Sequence, residues 1–159
     1  MTPEERKEFV RRSYEEVFNE GNLAAADKYF GPDFFNYAGP PDWPHGPESI
    51  RRAVMMLRTA FPDLHYTIEE VIVEGETIAA RWTARGTHTG ALQGPLGSIM
   101  GSLPPTGKSV AFPGITMGRV VEGKAGECWV IMDQLGLLRQ LGANNNAPAR
   151  QAQEALDVR

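Results

Sequence analysis

The chain has 159 residues, 42% of them hydrophobic and 23% charged, which is the size and balance of one ordinary globular domain. Its formal net charge is −4 with no basic stripe, which argues against nucleic acid as a partner. One cysteine, Cys128, rules out an intramolecular disulfide and any multi-cysteine zinc site, and no apolar run is long enough to span a bilayer.

The opening "MTPEERKEFV" lacks the apolar stretch of a signal peptide, so the expectation is a soluble cytoplasmic domain. Thr2 and Glu5 have capping-box spacing, with Pro3 at the first helical position. Val10, Tyr14, Val17 and Phe18 recur at helical spacing and predict one buried stripe. "EGN" ends that helix, and "NLAAADKYFG" predicts a short second one. "PDFFNYAGPPDWPHGP" reads as loop with a little strand, because its prolines forbid a long regular element. "PESIRRAVMMLRTAF" predicts a third helix, apolar through Ile50, Ala53, Val54, Leu57 and Phe61 and wet through Arg51, Arg52 and Arg58.

After Pro62 the period changes from helical to alternating. "LHYTIEEVIVEGETIAARWTARGTHTG" predicts two strands joined at Gly75–Glu76, and "KSVAFPGITMGRVVEGKAGECWVIMDQLG" a second pair joined near Gly123–Gly126. Between them runs the Gly/Pro-rich "ALQGPLGSIMGSLPPTG". Its Leu92, Leu96, Ile99 and Met100 suit either a flap over an apolar ligand or a dimer contact. "GSLPPTGKS" imitates a phosphate-binding loop. However, Gly101 and Gly107 enclose five residues rather than four, and Pro104 and Pro105 lack the N–H groups such a loop needs. Helices first and meandering strands after argue an α+β fold, with helices packed on one face of a curved antiparallel sheet. The polar tail from 143 to 159 is expected to fray or to form a short helix.

"AFPDL", "GETIAARWTARGTHTG", "PTGKSV" and "GRVVEGKAGECWVIMDQLGLLRQLG", in that order, resemble the SnoaL-like polyketide cyclase family over nearly the whole of a domain spanning residues 1–142. The resemblance implies a cone of the nuclear transport factor two type, in which three N-terminal helices close a strongly curved antiparallel or mixed sheet around an apolar pocket. It implies ring closure by intramolecular aldol condensation without metal or organic cofactor, an aspartate being the general acid/base. That aspartate belongs to an E-x-W-x-x-x-D segment, matched here by Glu127, Trp129 and Asp133. The partner so implied is a small hydrophobic, polyketide-derived molecule.

Strand alternation places Glu127, Trp129, Ile131 and Asp133 on one face and Cys128, Val130 and Met132 on the other. If the first face lines the pocket, Asp133 is desolvated, its pKa rises, and it becomes a base suited to protons beside a carbonyl. The alternative is that Asp133 caps the short helix "QLGLLRQLG". His88 and Tyr37 are further catalytic candidates, as donors to an enolate oxygen. Each has a plainer reading, His88 as a residue beside a turn and Tyr37 as a packed aromatic with a wet tip. Trp129, Ile131, Trp82, Asn36, Tyr14 and Arg119 are substrate-binding candidates. Tyr14 also fits the core of the first helix, and Arg119 fits an ion pair with Glu127 across the hairpin. Arg119 stands where the family resemblance implies a histidine, and arginine does not exchange protons near neutral pH. That departure leaves two alternatives open: a non-catalytic binder of small hydrophobic molecules on the same fold, and an epoxide hydrolase-like enzyme. His45, His65 and His88 share no metal-ligand spacing, so no metal site is expected. Val71, Val73, Ala79, Val130 and Met132 are expected to form an exposed sheet face that pairs two copies.

Overall fold

In the computed structural model, residues 1–93 and 102–143 are described. Helix α1 (Pro3–Ser13) opens with the capping box: the Thr2 hydroxyl accepts the Glu5 N–H, and the Glu5 carboxylate accepts the Thr2 N–H. It runs into a wider π-turn, Tyr14–Asn19. A 3₁₀ turn (Leu23–Ala25) leads into the short α2 (Ala26–Tyr29). Strand β1 (Phe30–Asn36) and helix α3 (Pro47–Ala60) follow, then β2 (His65–Glu74), β3 (Thr77–Thr87), β4 (Ser109–Val121), β5 (Lys124–Met132) and α4 (Gln134–Gln140).

The five strands form one sheet in the order β1-β5-β4-β3-β2. β2 to β5 are an antiparallel meander, and β1 joins β5 in parallel. The expected "little strand" is therefore a full edge strand whose partner lies far along the chain. The β4–β5 turn holds Glu122 and Gly123 at φ 49° and 76°, the left-handed pair that a two-residue hairpin requires.

Helix α3 buries Ile50, Val54 and Leu57 as its period predicts, and Phe61 just beyond it is buried too; Ala53 stays half-buried, and Ala60 takes a buried place the period did not single out. Arg58 is the exception on its wet face. The guanidinium donates to the carbonyls of Phe18, Asn19, Pro62 and Leu64, filling acceptors that a helix end and a loop leave empty. Asn19 adds a second clasp, accepting the Tyr66 N–H at 2.7 Å and donating to the Tyr66 carbonyl at 3.1 Å.

The concave face of the sheet carries Val110, Phe112, Gly114, Thr116, Gly118 and Val120 from β4 and Cys128, Val130 and Met132 from β5, and the helices cover it. The convex face carries Ile72, Ile115, Met117, Trp129 and Ile131, all exposed. This reverses the expected dimer face: Val71, Val130 and Met132 pack inward, Val73 packs against the inner cluster, and only Ala79 lies outside, paired with Met117. Both faces of the last hairpin are apolar, so alternation alone could not orient it. The glycines do. A Cβ at Gly114 would sit 2.3 Å from the Trp82 ring, so the indole fills the space that the bend leaves.

Gly114→Ala is therefore expected to cost about 2 kcal/mol or more of stability, the upper range for overpacking a core, as measured by urea unfolding. Gly126→Ala, where nothing lies within 4 Å of an added Cβ, is the control and should change little.

Candidate functional site

Helices and concave sheet enclose a cavity of about 180 Å³. Its walls include Tyr14 and Phe18 from the first helix and its π-turn, Phe34 from β1, Tyr66 and Trp82 from β2 and β3, and Val130 and Met132 from β5. The only charged residues along it, among the described ones, are Arg119 and Glu127. Their charges meet each other, Arg119 Nε lying 3.3 Å from Glu127 Oε1, and Tyr37 donates its hydroxyl to the other carboxylate oxygen at 3.3 Å. That cluster sits on the convex side, where Tyr37 and Trp129 stack with centroids 4.7 Å apart and both rings stay exposed. The ion pair across the hairpin is thus present, at the edge of the cavity, and the two charges are spent on each other.

Polar groups inside are few and neutral. Trp82 Nε1 donates to Thr116 Oγ1 at 3.0 Å, and Thr116 Oγ1 lies 2.7 Å from Tyr14 Oη. Tyr14 stacks on Phe18 and tilts against Tyr66. Burial raises the pKa of both tyrosines, which keeps them as neutral hydroxyls. Asn36 lines the wall near Cys128, whose Sγ donates to Asn36 Oδ1 at 3.6 Å. The Cys128 thiol is buried and its pKa is pushed up to about 12 by desolvation.

The structure divides the candidate residues. Tyr14, Trp82 and Asn36 line the cavity, and Arg119 lies along its edge. Trp129 and Ile131 do not line it; they point outward, Ile131 with 77% of its surface exposed. Tyr37 is a convex-face aromatic. Asp133 is exposed, and its Oδ1 accepts the Gly136 N–H at 2.8 Å as the N-cap of α4. The expected desolvated carboxylate in the pocket wall is not there, because the face shared by residues 127, 129, 131 and 133 is the convex one. Sequence reasoning passed over Thr116, Tyr66, Cys128 and Val130. One signal was available: in "GITMG", Gly114, Thr116 and Gly118 alternate small residues along a strand, the mark of a concave face facing bulky neighbours.

The flap expected between the hairpins is described only in part. Leu92 is fully buried and bridges Leu103, a core position away from the cavity, while Leu96, Ile99 and Met100 lie outside the described residues, as does the chain beyond 143.

A profile of the SnoaL-like polyketide cyclase family matches residues 8–141. The nogalonic acid methyl ester cyclase of Streptomyces nogalater is 31% identical over 129 residues, covering 79% of this chain and 90% of that protein. The aklanonic acid methyl ester cyclase DnrD of Streptomyces peucetius is 30% identical over 139 residues, covering 85% and 89%. Among solved structures, TsrD from Streptomyces laurentii superposes with a TM-score of 0.78 at 26% identity, over 91% of this chain and 99% of that one. A SnoaL-like polyketide cyclase from Agrobacterium tumefaciens gives 0.64 at 19% identity over 83% and 94%, a likeness of fold alone. The α+β cone of these proteins is the fold seen here.

His88 lies apart from the cavity. It is fully buried against Phe61, and its Nδ1 accepts the Thr106 N–H at 3.2 Å. An acceptor at Nδ1 puts the ring proton on Nε2, which has no partner among the described residues. His88 therefore closes a loop in the core, away from the cavity that its expected role as a donor would require. Burial lowers its pKa, so the folded state favours the neutral ring. The stability this contributes is present above the unfolded value of about 6.5 and is lost as pH falls below it. His88→Leu should remove that part of the loss in urea unfolding followed between about pH 7 and 5.

Proposed function

The chain belongs to the SnoaL-like polyketide cyclase family, a family of cyclase-type enzymes, and from that membership we propose that it closes a ring in a polyketide-derived carbonyl compound by intramolecular aldol addition. The observation that supports this reading is the cavity: aromatic, free of inward charge, and shaped by the bend of the sheet. By analogy with the two relatives, the substrate is an esterified polyketide acid.

A polyketide alternates carbonyl and methylene groups, and a carbon between two carbonyls forms its enol without a strong base. The enol carbon attacks a carbonyl carbon of the same molecule. One C–C bond forms, the carbonyl π bond opens, and the enol proton ends on the new alcohol oxygen. The sum is an isomerisation that balances without a cofactor. Both carbons belong to one molecule, so what the wall adds is the folded orientation that brings them into contact.

General acid/base catalysis by Asp133 would require its carboxylate to release the Gly136 N–H and turn around the strand end, toward the mouth beside Gln134. The reading favoured here leaves it as a cap. Asparagine caps helices as well as aspartate does, so Asp133→Asn separates the two roles. It should leave both melting temperature and turnover of a polyketide methyl ester near wild type. A loss of about 10²–10⁴-fold, the contribution of a general base, would restore Asp133 as the base. Val130→Phe, which narrows the cavity, should lower turnover by roughly tenfold or more.

A second reading, binding without turnover, is favoured by one observation: among the described residues the one carboxylate along the cavity, Glu127, is paired with Arg119, and no imidazole lines it. Tight binding with no turnover in the wild type would select it. The epoxide hydrolase-like alternative needs paired carboxylates at the cavity and draws no support from this wall.

We also propose that two copies pair through the convex face, where Ile72, Ala79, Met117, Trp129 and Tyr37 form a row across the sheet. Light scattering should give twice the 17.5 kDa chain mass, and Ile131→Glu should shift it toward the monomer; a wild-type monomer would overturn this.

A further inference from the structure

The bonds among Trp82, Thr116 and Tyr14 do not use all of their hydrogens. The indole has one N–H and each hydroxyl has one O–H. Trp82 Nε1–H is spent on Thr116 Oγ1, and one hydroxyl hydrogen is spent on the bond between Thr116 and Tyr14. One hydroxyl hydrogen is left over, and no other side-chain acceptor is bonded to either oxygen among the described residues. All three residues line the cavity.

The direction of the chain follows from polarisation. An O–H whose oxygen already accepts a hydrogen bond is a stronger donor, so head-to-tail chains strengthen themselves. Either oxygen can donate in the bond between Thr116 and Tyr14; when Thr116, polarised by Trp82, is the donor, Tyr14 Oη–H is left as the terminal donor. The ring is held in place by its stack on Phe18, with centroids 4.9 Å apart, and by Tyr66 at 5.3 Å.

We propose that Trp82, Thr116 and Tyr14 form a relay ending in a preorganised hydroxyl donor, which binds the carbonyl oxygen of the ligand on which negative charge develops. This rests on the reading of the cavity as a polyketide carbonyl site and adds to it the group that orients the electrophile. Donors fixed in advance at such an oxygen stabilise the transition state more than the ground state. Nothing in the relay takes up a proton for good, so it works as a hydrogen-bond donor throughout and needs no co-reactant. Thr116, which sequence reasoning passed over, sets the direction of the donor; Tyr14 makes the contact.

The test uses fluorenone, a flat tricyclic ketone with one carbonyl, and the full chain. Binding is followed by quenching of tryptophan fluorescence and the carbonyl stretch by difference infrared spectroscopy. In the wild type the stretch should fall to lower wavenumber than in hexane. In Tyr14→Phe it should move back toward the hexane value, with affinity roughly two- to tenfold weaker, the worth of one neutral hydrogen bond. Thr116→Val keeps the terminal phenol but removes its polarisation, so its stretch should fall between the two. Equal stretch and affinity in wild type and Tyr14→Phe, with both folded by circular dichroism, would overturn the relay while leaving the cavity reading intact. Failure of fluorenone to bind the wild type would overturn the cavity reading, and the relay with it.

Discussion

The bend of the sheet depends on Trp82 lying against a bare Gly114. An indole on a concave face needs a missing side chain opposite, and it also brings a buried N–H that must be paired. Thr116, on the same face of β4, supplies the acceptor and reaches on to Tyr14, 102 residues away in sequence. One short chain of hydrogen bonds thus ties the first helix to the middle of the sheet. Each bond is worth only about 1 kcal/mol net, but a partner left unpaired in the interior costs about 1–3 kcal/mol. The same atoms that fasten helix to sheet are the polar spot of an otherwise apolar cavity, so fold and site are one network.

Much of this was legible in the sequence, and the gaps have physical causes. The capping box at Thr2 and Glu5, the period of α3 and both hairpin turns are local signals, and local signals carry through. The cap at Asp133 was legible for the same reason. Which face of β5 turns inward was not, because alternation groups Trp129 with Ile131 and Val130 with Met132 without orienting either pair. β1 was underread because its partner strand is remote in sequence, and a parallel edge strand leaves no turn signal between the two. Arg58 looked like a solvated charge because the carbonyls it satisfies come from two other segments. His88 looked like a site residue because a histidine on a strand face says nothing of what covers it.

The placement of charge is consistent across the molecule. Arg119 and Glu127 neutralise each other on the convex side, and carboxylates such as Asp63 are occupied with backbone and hydroxyl donors near the surface. Among the described residues the interior keeps hydroxyl, amide, thiol, indole and imidazole groups. In so apolar a space each remaining dipole acts with little screening, so a single directed donor has more effect than it would in water. A wall whose charges, among the described residues, are already paired with each other at its edge accepts a greasy ligand with little cost for stripping water from a charge.

Cys128 has a practical consequence. The chain has one sulfhydryl, and it stands in the cavity wall, starved of solvent and reluctant to ionise. Alkylation of such a group needs both entry of the reagent and ionisation of the thiol, and opening of the wall favours both. Its modification rate therefore reads opening of the cone, followed by mass spectrometry on the unaltered protein, and a bound guest slows that rate in proportion to the fraction of cavities it occupies.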